Sequence, residues 1–327
     1  MYLGLDIGYG QTKLSFCDPF STPISEVHPS GAAVLENCDQ RAPGAKDVQP
    51  NGVEVFVDGK PYVSLIDPDQ VHGGMSTLHS SFVSSPEYLA LFYGALSRVH
   101  GNVVTHLVTG VCVDHFKDKT MLAALRAHMS GRHLIFPGRS IEVRKVTIVE
   151  KPAGAFLAHI DKQPLGYAMH DSLLVIDCGH FSVDWIMAAA GNFRNKVAGS
   201  SRSGGSVVID AMRGILRERY NWLVSEERMY KYVRLGRPQI TWDGIVQDME
   251  VLKLEAAALI APKVIGTILT ALRQEQTVID RVLVCGGSAP LFLKEVRQAL
   301  PRAAVSVIES PVMANAVGFR LYAQTNV

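Results

Sequence analysis

The chain has 327 residues, 47% of them hydrophobic and 19% charged, with a formal net charge of +1. That length accommodates two ordinary domains or one bilobed body with a well-buried core, and it excludes a small stapled scaffold. The near-neutral charge speaks against broad binding of nucleic acid, which needs a strongly basic face. The five cysteines, Cys17, Cys38, Cys112, Cys178 and Cys285, form no C-x-x-C pair, which argues against a structural zinc site or disulfide framework and fits a reducing cytoplasm. Asp6 interrupts the N-terminal apolar run, so the run does not have the form of a secretory signal. The longest apolar segment, residues 256–272, contains Pro262 and Lys263 and is expected to be a core helix, with no membrane anchor.

In chain order, a first strand is expected over Tyr2 to Ile7, a turn at Gly8 to Gly10, and a returning strand from Thr12 to Cys17. Residues 18 to 69 read as sheet edge and loops, with the Asp58-Gly59 pair marking a tight hairpin. A polar loop over residues 70–86 leads into a helix capped by Ser85, with Pro86 at its first position. Val104 to Gly110 reads as a buried strand and residues 117–129 as an amphipathic helix. A strand then runs through Glu150 into another helix. Strands alternating with helices indicate an α/β architecture.

The segment "LGLDIGYGQTKL" (3–14) can be laid over "LVIDCGHFSVDW" (174–185), which aligns Asp6 with Asp177 and Gly8 with Gly179. One Asp-x-Gly carries little information. Two of them, each between strands and about a domain's length apart, indicate a device used twice. Two further glycine turns feed helices: residues 199–205, ending in Gly204 and Gly205, and Gly286-Gly287-Ser288 after a strand ending at Cys285. Such turns can bring backbone N–H groups to an anion or a flat ring.

A nucleoside triphosphate with its metal needs carboxylates that hold hydrated Mg²⁺ and bare backbone near phosphate oxygens. Asp6 and Asp177 meet the first need, and Gly8, Gly10 and Gly179 the second. Lys13 adds a cation, and Gln11 or Thr12 adds hydrogen bonds. There is no G-x-x-x-x-G-K-[ST] and no complete G-x-G-x-x-G. Cys178 and Cys285, which adjoin these turns, read as small apolar fillers.

These motifs resemble the actin, heat-shock chaperone and sugar-kinase ATPase superfamily. "LDIGYGQTK" is similar to its first phosphate loop, "VEKPAGAFLA" to its first connecting helix, "VIDCGHFSVD" to its second phosphate loop, "VLVCGGSAPLF" to its adenosine motif, and "SPVMANAVGF" to its second connecting helix. The chain is most similar to ParM-type plasmid-segregation actins and their archaeal relatives. The resemblance implies an actin-like fold of two ribonuclease H-like lobes with a nucleotide cleft between them. Lobe I would comprise residues 1–158 with a variable insertion around 18–100, completed by the C-terminal helix 312–327, and lobe II residues 159–311. Asp6 and Asp177 would organise Mg²⁺ through water, and Gly8, Tyr9, Gly10, Gln11, Thr12 and Lys13 would cradle phosphates together with Gly179, His180, Phe181 and Ser182. Gly204, Gly205, Gly286, Gly287 and Ser288 would face the rest of the nucleotide, and Glu150 would position the attacking water.

His180 and Phe181 depart from the small or hydroxyl residues usual in the second loop and leave Ser182 as the side-chain donor there. Asp184 reads equally as the acidic residue closing that hairpin and as a solvated strand-end charge. The implied activity is ATP hydrolysis, with GTP left open, coupled to head-to-tail filaments that partition plasmid DNA through a DNA-binding adaptor. A heterologous contact that does not close into a ring gives a filament. A small-metabolite kinase and a non-hydrolysing nucleotide-binding scaffold are the alternatives.

Overall fold

Along the opening segment, Leu3, Leu5 and Ile7 alternate with Gly4 and Asp6, the period of a strand whose two faces meet different neighbours. In a computed structural model, which describes residues 1–38, 52–71, 81–164, 171–275 and 278–325, this segment is β1 (Tyr2–Ile7) and returns antiparallel as β2 (Gln11–Cys17). There follow β3 (Ile24–Pro29), β4 (Gly31–Val34), β5 (Val53–Val57), β6 (Lys60–Ile66), α1 (Pro86–Arg98), β7 (Val103–Val104), β8 (His106–Val111), α2 (Val113–Phe116), α3 (Lys119–Met129), β9 (Gly131–Phe136), β10 (Arg139–Val143), β11 (Val146–Glu150) and α4 (Lys151–Ile160). The chain continues with β12 (Ser172–Cys178), β13 (Val183–Ala189), β14 (Asn192–Phe193), β15 (Gly199–Ser201), α5 (Gly205–Tyr220), α6 (Glu226–Arg234), β16 (Gln239–Trp242), β17 (Ile245–Asp248), α7 (Met249–Gln274), β18 (Arg281–Cys285), α8 (Ala289–Ala299), β19 (Ala304–Val307) and α9 (Ala314–Thr325).

Two compact units result, one of Met1–Asp161 with Val312–Val327, the other of Lys162–Pro311. The main sheet of the first has the order β11-β8-β1-β2-β3, and that of the second β14-β13-β12-β18-β19, with β15 also on β13. In each sheet an antiparallel hairpin is extended on one side by two parallel strands. The α/β expectation holds, and the short repeat in the sequence proves to be the hairpin of one strand order built twice.

In the first unit Leu3, Leu5, Leu14 and Phe16 pack with Leu91, Phe92 and Leu107 in one core. The other face of β1 meets α9, where backbone atoms of Ala316 and Arg320 lie against Gly4. Helices α4 and α9 also touch backbone to backbone. A methyl group on Gly154 would sit 2.6 Å from the carbonyl oxygen of Asn315, and one on Gly318 would overlap the carbonyl oxygen of Gly154. The Asn315 side chain closes the joint by accepting the N–H of Ala155 at 3.2 Å. The glycines of "PAGA" and "NAVGF" are therefore what allows these two helices to approach.

The second unit has its own core, in which Ile176, Trp185, Met187 and Phe292 pack with α5 and α7. Helix α7, with 26 residues, is long and apolar enough to cross a membrane. Met249, Leu252, Ala256, Val264, Ile265, Ile268 and Leu272 on one of its faces enter this core, as expected of a core helix.

Several boundaries differ from expectation. The strand expected over Val104 to Gly110 is split at Thr105, whose N–H is held by the Met1 carbonyl, so β7 joins β10 while β8 joins β1. Part of the glycine turn at 199–205 is strand, with Gly199 opposite Trp185 and Ser201 opposite Val183. Residues 18 to 69 contribute the edge strand β3 and a separate sheet of order β4-β6-β5, turning at Asp58 and Gly59 as expected. Residues 39–51, and residues 72–80 of the expected loop, lie outside the described residues. Ser85 accepts the N–H of Tyr88, and Pro86 opens α1.

Candidate functional site

The first hairpin sets Asp6 directly opposite Lys13, so their side chains share one face of the sheet, the face against which α9 packs. The strand β11 and the helix α4 meet at Glu150 and Lys151, and this junction delivers the Lys151 side chain to the same place. Lys13 donates to Asp6 Oδ2 at 3.2 Å, and Lys151 Nζ stands 2.9 Å from Oδ1 while donating to the Ile7 carbonyl at 3.2 Å. Oδ1 itself is buried, with the Lys151 ammonium as its close contact. Burial alone would raise the pKa of Asp6, but the two ammonium groups overcome it and lower it to about 2. Beneath lies Tyr88, whose hydroxyl is pushed well above its ordinary value by burial, with the Lys151 charge opposing.

Gly8 closes the turn, its N–H bonded to the Gln11 carbonyl at 3.0 Å. A Cβ on Gly8 would lie 2.9 Å from that carbonyl oxygen and 3.2 Å from Lys13 Nζ. Bare backbone beside two cations and a buried carboxylate suits a phosphate-bearing ligand with a cation. Gly10 is buried, and its carbonyl accepts the N–H of Ser30 at 3.2 Å. Tyr9 stacks on Phe82 with ring centroids 4.9 Å apart. Thr12 is fully buried and its hydroxyl pairs with Ser30 Oγ at 2.8 Å, so it faces away from Lys13 and braces the hairpin.

Glu150 is half-buried at the end of β11, and burial raises its pKa. Among the described residues it has no charged partner and does not cap α4 with its side chain. Sequence reasoning singled out Glu150 and passed over Lys151. The signal was a lysine in the first turn of a helix, where the dipole disfavours a cation.

In the second unit Asp177 stands opposite Asp184, at the register that Asp6 and Lys13 occupy in the first. Asp177 is 5% exposed and Asp184 2%. The expectation of a solvated charge at Asp184 is thus corrected. Its carboxylate accepts from Ser182 Oγ at 2.6 Å and from Ser200 Oγ, hydroxyls that satisfy a buried carboxylate. The Ser182 hydroxyl, expected to donate to a ligand, donates here to Asp184. The ring of His180 packs on Tyr230 with centroids 4.4 Å apart, the geometry of a packed turn histidine.

The other predicted turns converge on this hairpin. The N–H of Gly204 bonds to the Phe181 carbonyl at 3.2 Å, that of Gly205 to the Gly179 carbonyl at 3.0 Å, and that of Ser288 to the Cys178 carbonyl at 2.9 Å. Gly286 has φ +88°, and a Cβ there would strike the Asp177 carboxylate and the Cys178 carbonyl. Only glycine lets the strand-to-helix turn close on the end of β12 at that angle. Gly287 is exposed beside it. The buried Cys178 thiol is pushed up by burial and by the adjacent Asp177 and Asp184, which fits a filler and not a nucleophile. Each unit thus gathers its own predicted residues at one hairpin. Among the described residues no three His, Cys, Asp or Glu side chains cluster as a metal cage.

Residues 4–154 match the family model described as the N-terminal domain of actin-like proteins. No curated protein sequence matches the chain. Among solved structures, an archaeal actin homologue, Ta0583, is 19% identical over the whole of both chains, with a TM-score of 0.75. The same protein in complex with ADP superposes with a TM-score of 0.74 at 18% identity, again over the whole of both chains. ParM in a 15-stranded filament from Clostridium botulinum is 16% identical, covers 99% of this chain and 98% of its own, and has a TM-score of 0.74. The fold of the chain is actin-like, as its motifs imply.

Proposed function

On this actin-like fold we propose a nucleoside triphosphatase that assembles head to tail into filaments, turns over its nucleotide in the filament, and moves plasmid DNA through a DNA-binding adaptor. The observation that carries the reading is the paired hairpin. One strand order occurs twice, and each time an aspartate ends the central strand beside bare glycine backbone. Gly8, Gly10 and Lys13 of the first hairpin and Gly179 of the second would hold the phosphates, and Gly204, Gly205, Gly286 and Gly287 the nucleoside. Asp6 and Asp177 would hold hydrated Mg²⁺, which supplies charge neutralisation to the phosphates when bound. Glu150, half-buried at the end of β11, would orient water. The residues do not discriminate ATP from GTP. Filament-forming relatives of the same fold support the self-association.

A second reading, a scaffold that binds nucleotide and hydrolyses it slowly, draws on two observations. Glu150 has no charged partner among the described residues, and the Ser182 hydroxyl is engaged by Asp184. The experiment is ninety-degree light scattering with Mg²⁺ and ATP, GTP, ADP or no nucleotide, with phosphate release followed in the same cuvette. Scattering that needs triphosphate and decays as phosphate appears is the expected result. Flat scattering with no phosphate release would favour the scaffold, and release that needs an added acceptor would favour a kinase.

A further inference from the structure

Lys151 occupies the first position of α4, the end of a helix where the backbone dipole disfavours a cation. Its side chain is only 16% exposed and its stem runs past Gly110, so the ammonium group is held in place and not left to solvent. Lys13 and Lys151 together face one carboxylate, and the trio carries a formal excess of one positive charge. Both ammonium groups border the open side of Gly8, where a Cβ would lie 3.2 Å from Lys13 Nζ and 3.9 Å from Lys151 Nζ. Asp6 Oδ1 is buried, and the Lys151 ammonium at 2.9 Å is its close contact.

We propose that Lys151 is a second phosphate-binding residue, acting with Lys13 on the terminal phosphates of a nucleoside triphosphate. The proposal rests on the nucleotide reading above and adds a residue to it. Without ligand, both lysines spend their charge on Asp6. A phosphate group at Gly8 offers several anionic oxygens to the two ammonium groups, which form strong charge-assisted hydrogen bonds with it and leave Asp6. Asp6 then becomes a free carboxylate able to accept a hydrated cation. Phosphate arrival and cation acceptance are thereby linked through one residue at the head of α4.

The test is isothermal titration of wild type, Lys151→Met and Lys151→Arg with ADP, a non-hydrolysable ATP analogue and inorganic pyrophosphate, in EDTA. Melting curves of the ligand-free proteins accompany it. Methionine keeps the stem beside Gly110 and removes the charge, and arginine restores it. Lys151→Met is expected to weaken the triphosphate analogue by about tenfold or more, the loss of one charge-assisted hydrogen bond, and ADP by less. Lys151→Arg should recover most of the difference. If Lys151→Met melts early, Lys151→Gln, which keeps a donor beside Asp6, carries the same comparison. Unchanged triphosphate affinity, or an equal loss for all three ligands, would overturn the role of Lys151 while leaving the nucleotide reading intact. Wild type that binds none of the three would overturn both.

Discussion

Replacing Gly154 by alanine adds one methyl group at the joint between α4 and α9, and the structure sets what that methyl meets. It would lie 2.6 Å from the Asn315 carbonyl oxygen and 2.8 Å from the Asn315 Cα, both backbone atoms of the partner helix. The second distance is about 0.7 Å short of the roughly 3.5 Å at which two carbons rest. The Phe319 ring is fully buried, and neither it nor the backbone can turn aside, so the helices must separate. Overpacking of this kind costs about 1–3 kcal/mol, and backbone contact puts it at the upper end. Alanine's better helix propensity returns about 1 kcal/mol, leaving a net loss of about 2 kcal/mol. Gly266, inside α7, supplies the control, because a Cβ there meets nothing within 4 Å. The same substitution at Gly266 should stabilise by about 0.5–1 kcal/mol. Urea unfolding followed by far-UV circular dichroism and by tryptophan fluorescence reads both effects, since Trp185, Trp222 and Trp242 all lie in Lys162–Pro311. A Gly154→Ala protein whose circular dichroism transition matches wild type would refute the packing argument. A destabilised one should also lose nucleotide affinity, because α4 carries Lys151.

Three other outcomes follow from the site. Asp177→Ala should abolish nucleotide turnover with the fold intact, and normal turnover by a well-folded variant would remove Asp177 from the proposed site. Glu150→Gln should slow hydrolysis by about a hundredfold, the lower range for a positioned acid or base, with little loss of binding affinity; parallel loss of both would make it a support for the α4 start. His106 donates from Nδ1 to the Ala323 carbonyl and accepts at Nε2 from Thr147, and burial first, then the Lys145 charge, lowers its pKa against that bond; His133 is lowered by burial as well. The unfolded chain therefore takes up protons first as pH falls below about 6.5. Stability to urea should be full above that pH and fall as pH drops below it, less steeply in His106→Asn, and a flat profile would contradict the neutral assignment.

Much of this was legible because it is local. The alternation in β1 and the Asp-x-Gly repeat require only a period of two and a turn, and both hairpins form with the aspartates in register. Where the helices begin at Pro86 and Gly205 also follows from the residues there. What escaped was long-range. Nothing near Thr12 says that Ser30 will take its hydroxyl, and nothing near Asp184 says that Ser200 will keep that carboxylate buried and satisfied. The glycines of the two helix motifs resembled family signatures, but their physical reason is a partner helix about 160 residues away in the chain.

The register shared by the two hairpins has one further consequence. Position for position, the residue facing the strand-end aspartate is Lys13 in one copy and Asp184 in the other, a reversal of charge on an otherwise common frame. The first pair is formally neutral and becomes cationic only with Lys151 of α4, whereas the second pair is anionic by itself. The copies are equivalent as architecture and opposite in formal charge, and exchanging Lys13 with Asp184 would turn the first, Lys151 included, from +1 to −1 and bring the second from −2 to zero while leaving the chain's net charge at +1.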